Sequence, residues 1–349
     1  MIFPQGFPVP FSSAAVFLCL TQGKPCTIKM ITFNPVFESS LVVVCALCLD
    51  KLFGEPARFH PLVGFGRYAG WVERIFYSSK HTGNGRMFLK GVLAWCVSVL
   101  VPLIILVGIV SVLPYVAQVL ISVVVLYLSI GARSLAEHAH AVSEPLAQGN
   151  LQDARLQLGR IVSRDTQDLN SAQISSATVE TLTENTHDAV IAPIVWFLLF
   201  GAAGVLLFRL ANTLDAMWGY QTSRYEYFGK CSARVDDVLG WLSARLTVGL
   251  FILVGLSRGR IIGCEKIYHW ARNWYSPNAG PVMAAGAFVL NTRLGGPAPY
   301  HGVLKTRPWL GIGNEPSAQH IQRAIGLMYQ STYVLVFILC VIGVLQWLY

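Results

Sequence analysis

Gly91–Val110 and Tyr115–Ile130 are two long apolar runs separated only by the uncharged Ser111-Val112-Leu113-Pro114. A helix needs roughly 20 apolar residues to cross a bilayer, and in hydrocarbon only a helix or a closed barrel satisfies its own backbone. The pair therefore reads as a helical hairpin in lipid. Phe37–Leu49, Val190–Leu207, Val238–Leu256 and Ser331–Leu348 are further apolar segments. Charged residues make up only 13% of the 349, whereas a soluble domain carries about 25%. The expectation is an all-α integral membrane protein of about four to six transmembrane or re-entrant helices, with a helical polar region on the cytoplasmic side.

The chain has 26 Lys+Arg against 18 Asp+Glu, a formal charge of +8. The basic residues form no stripe interleaved with aromatics, so nucleic acid is not an expected partner. They gather instead in Lys51–Lys90, with seven, and Arg258–Arg323, with eight, while the Ser111–Pro114 turn has none. The positive-inside rule puts both basic loops in the cytoplasm. The acids are distributed differently. Twelve of the 18 lie between Gly131 and Asp237, together with eight basic residues. Solubility does not require that concentration, and it points to a site.

Four polar groups carry it. In Leu158–Asp168, Arg160 and Arg164 are four apart and share a face if the segment is helical, and Asp165-Thr166 can cap the next helix. In Ala177–Asp188, Glu180, Glu184 and Asp188 recur at helical spacing, and no Lys or Arg lies between Asp165 and Arg209 to relieve them. Such a strip calls for a cation, a basic ligand or an Arg from elsewhere, and with Asn185 it suits Mg²⁺. Asn212 and Asp215 share a face before Trp218-Gly219-Tyr220, and Asp236-Asp237 with Arg234 enter an apolar helix carrying Arg245. Each has a plainer reading as a solvated charged face, but ionisable groups at a membrane boundary are costly and mark function.

These groups meet only if Val190–Leu207 does not simply cross. A crossing would put Asp215, Asp236 and Asp237 on the opposite side from Arg164, Glu180 and Glu184. Pro193 and Gly201-Ala-Ala-Gly204 interrupt the segment, so it is expected to be re-entrant, or buried without leaving the cytoplasmic face.

Elsewhere the sequence is less specific. Met1–Lys29 holds four prolines and an apolar stretch, Ala14–Leu20, too short to span, with no basic region before it. It reads as a non-structural extension ahead of a single domain, residues 30–349. The eight cysteines show no metal or disulfide pattern, and Cys45 and Cys48 read as filler in an apolar helix. There is no Walker A motif and no His-Glu-x-x-His. His138-Ala-His140 is a weak metal signal. Gly295-Gly-Pro297 with Tyr300-His-Gly302, and His60-Pro61 with Gly64, Gly66 and Arg67, are segments able to approach an anion or to form plain turns.

Leu49-Asp-Lys-Leu-Phe-Gly-Glu-Pro56 with His60-Pro61 resembles the opening of the CobD/CbiB family, the adenosylcobinamide-phosphate synthases of cobalamin biosynthesis. So do Arg164-Asp-Thr166, Val179-Glu-Thr181, Glu184-Asn185, Asn212-Thr-Leu-Asp215, Gly219-Tyr220, Ala233-Arg234, Asp236-Asp237 and Ala244-Arg-Leu246. Asn278-Ala-Gly280, Leu294-Gly-Gly-Pro297 and Tyr300-His-Gly302 complete the pattern, which runs from about Met30 to Tyr349. Two positions depart from it: Gln221 where a basic residue often follows Gly-Tyr, and Ser163 where Gly often precedes Arg-Asp-Thr.

The resemblance implies an inner-membrane ligase. It joins aminopropanol phosphate, or free aminopropanol, to the last propionate of adenosylcobyric acid with ATP and Mg²⁺, its site facing the cytoplasm. Glu184, Asp215 and Asp165 are then the expected catalytic residues, with Glu184 as base. Arg164, Arg234, Arg245, Asn185, Asn212, His60, Arg67 and Tyr300 are expected to bind substrate or phosphate, and Glu180, Asp236 and Asp237 to hold the metal. Expected partners are the corrinoid and amino-alcohol substrates, the lipid bilayer and other membrane enzymes of cobalamin assembly. Two alternatives stay open: a non-catalytic membrane sensor of the AmpE type, which does not need the full acid set, and a small-molecule transporter, which predicts inverted repeats that the sequence lacks.

Overall fold

The computed structural model describes residues 15–18, 29–32, 35–56, 60–77, 83–220, 222–300 and 302–348. In chain order the helices are α1 (Pro35–Phe53), α2 (Pro61–Phe76), α3 (Asn84–Val112), α4 (Tyr115–Tyr127), α5 (Ala132–Ala147) and α6 (Leu151–Leu158). Next come α7 (Ser171–Thr186), α8 (Ala192–Trp218), α9 (Lys230–Ser257), α10 (Cys264–Ala271), α11 (Ala279–Leu290) and α12 (Ala318–Leu348). Among the described residues the strands form short antiparallel pairs. β1 (Ala15–Leu18) pairs with β2 (Lys29–Thr32), β3 (Leu294–Gly295) with β6 (Trp309–Leu310), and β4 (Ala298–Tyr300) with β5 (Val303–Lys305). The segment read as an N-terminal extension lies mostly outside the described residues, as do Gln221 and His301.

Among the described residues, five helices are long and apolar enough to cross a membrane: Asn84–Val112, Tyr115–Ala147, Ser171–Trp218, Lys230–Ser257 and Ala318–Gln346. On α3, Ile104, Ile105 and Val112 are exposed, as lipid-facing residues are. The fold is an all-α, multi-pass membrane protein. The α3–α4 hairpin turns at Leu113-Pro114, as the uncharged spacer implies, because Pro114 sets the extended backbone that starts α4.

The 48-residue stretch Ser171–Trp218 is not one rod. α7 passes through a π-turn at His187–Ile191 into α8, and α8 reverses at Phe200 and Gly201, whose φ/ψ of +61°/−151° is open only to glycine. Beyond the reversal the chain runs back along itself. Phe208 stacks on Trp196 at 6.5 Å between ring centroids and meets His187 edge-on, also at 6.5 Å. Arg209 Nη1 donates to the Asp188 carbonyl at 3.4 Å, where 21 residues of straight helix would leave about 30 Å. A side chain at Gly204 would strike the Trp196 carbonyl, so Gly204 lets the two limbs close. The sequence expectation of a re-entrant segment matches this folded-back geometry.

The motif that opens the family-like pattern has an architectural explanation. Asp50 Oδ2 accepts the Arg133 N–H in the first turn of α5, and Arg133 Nη1 donates to the Lys51 and Leu52 carbonyls at the end of α1. Gly54, at φ +64°, closes α1 and accepts the Tyr127 hydroxyl through its carbonyl. One carboxylate and one guanidinium thus satisfy the free ends of two helices. The main core lies among α1 and α4–α12, and a smaller one, with Phe65, Val72, Leu214, Trp218 and Phe228, holds α2 and α3 against the second limb of α8.

Three local expectations are corrected. The segment after α6 is not helical, so Arg160 and Arg164 share no helix face; Arg160 donates to Gln157 and Arg164 turns inward to Glu180. α7 is capped not by Asp165-Thr166 but by Asn170, which exchanges hydrogen bonds with Gln173 in a capping box. His60 is engaged in a helix cap, its Nδ1 accepting the Leu62 N–H ahead of Pro61, which leaves only its buried, unpartnered Nε2 for another group.

Candidate active site

The reversal of α8 puts Glu184 and Asp188 opposite Asn212 and Asp215, and the start of α9 brings Asp236 and Asp237 against both. A cavity of about 660 Å³ opens between them. Its wall carries six carboxylates, Glu184, Asp188, Asp215, Glu226, Asp236 and Asp237, against two fixed cations, Lys230 and Arg234. Asn212 Nδ2 donates to Asp236 Oδ1 at 3.2 Å, and Arg234 lies 3.6 Å from Asp237. Gly219 turns the chain directly over Asp215, where a Cβ would overlap the carboxylate. Five expected site residues, Glu184, Asn212, Asp215, Asp236 and Asp237, therefore meet in one cavity, with Arg234 on its exposed edge.

Beside the cavity acids runs a row of close polar contacts. His187 Nδ1 lies 2.6 Å from Asp188 Oδ1 and its Nε2 lies 2.8 Å from Ser243 Oγ. The order Asp-His-Ser resembles a nucleophilic relay, but Ser243 is fully buried and donates to the Gly240 carbonyl, so it has no access to a substrate. The row fixes the π-turn against α9.

The rest of the expected site lies elsewhere. Glu180 is buried, and both its oxygens are filled. Oε2 accepts Arg164 Nη2 at 2.5 Å and Arg307 Nη1 at 2.9 Å; Oε1 accepts Ser176 Oγ, the Gly295 N–H and Arg307 Nη2. A carboxylate so saturated is a structural anchor, which corrects its assignment as a metal ligand. Asp165 Oδ2 accepts the Gly302 N–H at 2.7 Å and its own N–H reaches the Pro299 carbonyl, so Asp165 ties down the β4–β5 turn and is not in the cavity. Tyr300 sits between the Arg164 guanidinium and Lys305 Nζ, 5.9 and 5.2 Å from its ring.

Asn185 donates to the Thr181 carbonyl and faces a separate cleft with Leu135, His138 and Ile161, on the other side of α7 from Glu184. Arg67 is exposed on α2, outside the cavity. Arg245 does not enter the cavity either; it donates to Asn278 Oδ1 at 2.6 Å and to the Pro277 carbonyl, while Asn278 Nδ2 donates to the Asp237 carbonyl. Arg245 thus braces the wall on which Asp237 stands.

Several residues were not among the expected site residues. Tyr275, Ser276 and Asn278, the last of them part of the family-like pattern, enter the cavity from the loop between α10 and α11. The Tyr275 phenol is pushed above its ordinary value first by the nearby Glu184 charge and then by burial. Glu73 of α2 accepts Arg224 Nε and Nη2 and the Tyr225 hydroxyl on one oxygen, and Trp218 Nε1 on the other, and so fastens the 219–229 loop that carries Tyr225 and Glu226 into the wall. Arg307 had no local pattern to mark it, whereas Lys230, at the head of an apolar helix beside the acidic pair, did.

Among the described residues, no three acidic, His or Cys side chains converge as a ready-made metal cage. The cavity acids are oxygen donors spread around one space, the kind of surface that Mg²⁺ uses while keeping waters and substrate oxygens.

A family profile described as CobD/Cbib protein matches residues 43–328. The chain belongs to the CobD/CbiB family. It is 47% identical over 298 residues to a protein of Chromobacterium violaceum named cobalamin biosynthesis protein CobD, covering 85% of this chain and 94% of that one. It is 46% identical over 309 residues to the Stutzerimonas stutzeri protein of the same name, covering 88% and 98%. A Pyrococcus abyssi protein named probable cobalamin biosynthesis protein CobD is 37% identical over 283 residues, covering 80% and 88%. No solved structure matches the chain. The family match spans both the α8 reversal and the cavity acids.

Proposed function

We propose that this chain is an adenosylcobinamide-phosphate synthase of cobalamin biosynthesis, an amide-forming ligase that works in the inner membrane with its cavity open to the cytoplasm. The observation that carries this reading is the acid-lined cavity, in a chain whose curated relatives are named for cobalamin biosynthesis.

A carboxylate is a poor electrophile, so ATP must first activate it. The corrinoid propionate attacks the γ-phosphorus, forming an acyl phosphate and releasing ADP. The amine of aminopropanol phosphate then attacks the carbonyl carbon, inorganic phosphate leaves, and the amine gives up a proton. Lys230 and Arg234 are placed to neutralise phosphate oxygens at the cavity edge. The acids attract the incoming ammonium, and Glu184 is positioned in the wall to take its proton. When bound, Mg²⁺ would neutralise phosphate charge, and Asp215, Asp236 and Asp237 are the residues to hold it.

The test is genetic. A strain lacking its own synthase and dependent on supplied cobinamide should grow on adenosylcobyric acid when it carries this chain. Continued dependence on cobinamide with the protein present in the membrane would reject the reading.

A further inference from the structure

A second charged feature lies far from the acidic cavity. Arg258 follows the last residue of α9, Arg260 follows the Gly259 turn at φ +71°, and Arg323 stands in the first turns of α12. With Val289, Leu290 and the left-handed Asn291 they line a cleft of about 370 Å³. The cavity acids of α9 end at Asp237, so 21 residues of helix, about 30 Å, separate the two places.

Three guanidinium groups around one cleft repel each other, and among the described residues no carboxylate pairs with any of them. What they have are neutral acceptors: Arg258 Nη2 donates to Gln330 Oε1 at 2.6 Å, and Arg260 Nη2 donates to Asn291 Oδ1 at 2.9 Å. An amide oxygen orients a guanidinium without neutralising it. The Arg260 plane is further fixed over the Phe288 ring at 5.0 Å, and its Nε is buried with no hydrogen-bond partner. A buried, charged donor left unmade is costly, and an arginine held this firmly with a free donor is arranged for a ligand.

We propose that Arg258, Arg260 and Arg323 form an anion site for a phosphate group, distinct from the acidic cavity. Guanidinium forks match phosphate oxygens, and one phosphate touching all three removes their repulsion. The cleft lies where α9 ends and α12 begins, two helices apolar enough to cross a membrane, and Leu253 and Leu256 in the last turns of α9 are exposed; basic groups at the ends of such helices bind phospholipid headgroups. Partial burial and the facing Arg323 charge both pull Arg258 below its ordinary value, in keeping with a site that lacks its counter-charge. The same chemistry serves a phospholipid headgroup or a free phosphate.

The experiment uses the full chain in detergent and follows its thermal unfolding. The probes are phosphatidylglycerol, phosphatidylcholine and inorganic phosphate, each against chloride at equal ionic strength. The site predicts that phosphatidylglycerol or inorganic phosphate raises the midpoint of the wild type, and that Arg258→Gln/Arg323→Gln loses that rise. Stabilisation by phosphatidylglycerol alone assigns a lipid headgroup, and stabilisation by inorganic phosphate assigns a soluble ligand. Arg323→Gln alone, at an exposed position, gives the same comparison if the double variant does not accumulate. An equal response in wild type and variant, or no response to either anion beyond chloride, overturns the proposal. The readout is independent of the ligation reaction.

Discussion

Arg209 donates to the main-chain carbonyl of Asp188 at 3.4 Å, across 21 residues that include the whole re-entrant turn. The contact pins the base of the α8 hairpin. It places the acid strip of α7 and the Asn212–Asp215 pair at the same end of the molecule, without which the cavity has only half its wall. The cavity is thus a consequence of one glycine-dependent reversal inside an apolar segment.

That dependence is measurable at Gly201. Its backbone lies where side chains are excluded, so Gly201→Val should cost about 1–3 kcal/mol and lower the thermal midpoint in detergent. Gly249 lies mid-helix in α9 with open space around it, and Gly249→Ala should be neutral or gain about 0.5–1 kcal/mol. Equal effects at the two positions would remove the special role of the turn.

Glu180 and Glu184 sit one helical turn apart on α7 but have opposite roles. Glu180→Gln leaves Arg164 and Arg307 buried around a neutral amide and should destabilise by about 3–5 kcal/mol. Glu184→Gln keeps the shape of a side chain that lines a cavity and should unfold near the wild-type midpoint. Paired thermal melts decide it, and a stable Glu180→Gln would make that carboxylate a metal-ligand candidate again.

Glu73 fastens the 219–229 loop through Arg224, Tyr225 and Trp218. The carboxylate raises the Arg224 guanidinium above its ordinary value through their hydrogen bonds, so the link is charge-assisted. Because Arg224 is half exposed and solvent screens its charge, Glu73→Gln should weaken the link by about 1 kcal/mol and speed limited proteolysis within residues 222–229, leaving cleavage elsewhere unchanged. Unchanged cleavage in the loop would show that other contacts hold it.

The proposed function puts the cavity on the cytoplasmic face, which labelling can test. In a cysteine-free background, Ser223→Cys should react with a membrane-impermeant maleimide in inverted vesicles and not in intact cells. Labelling only from the periplasmic side would place the cavity outside the cell.

Much of this architecture is legible in residue pattern. The apolar runs, the uncharged turn and the Pro193/Gly201 interruptions are local signals, and each has a local physical cause. The acid-rich stretch located the cavity because like charges at helical spacing require compensation. The pattern hid the source of that compensation. Arg307 is 127 residues from Glu180, and only the folding of the β3–β6 segment brings them together. Asn185 is adjacent to Glu184 in the chain yet points to another cleft, because neighbours on a helix do not share a face. His60 stood beside glycines and an arginine as an anion-ligand candidate, but one of its ring nitrogens, Nδ1, is taken by a helix cap.

The most direct measurement is the ligation itself, in detergent, with adenosylcobyric acid, aminopropanol phosphate, ATP and Mg²⁺. The wild-type chain should yield adenosylcobinamide phosphate with one ADP released per amide formed, and the folded Glu184→Gln and Asp215→Asn variants should yield none. No amide from the wild type, or wild-type rates from both variants, would contradict the assignment of this chemistry to this cavity.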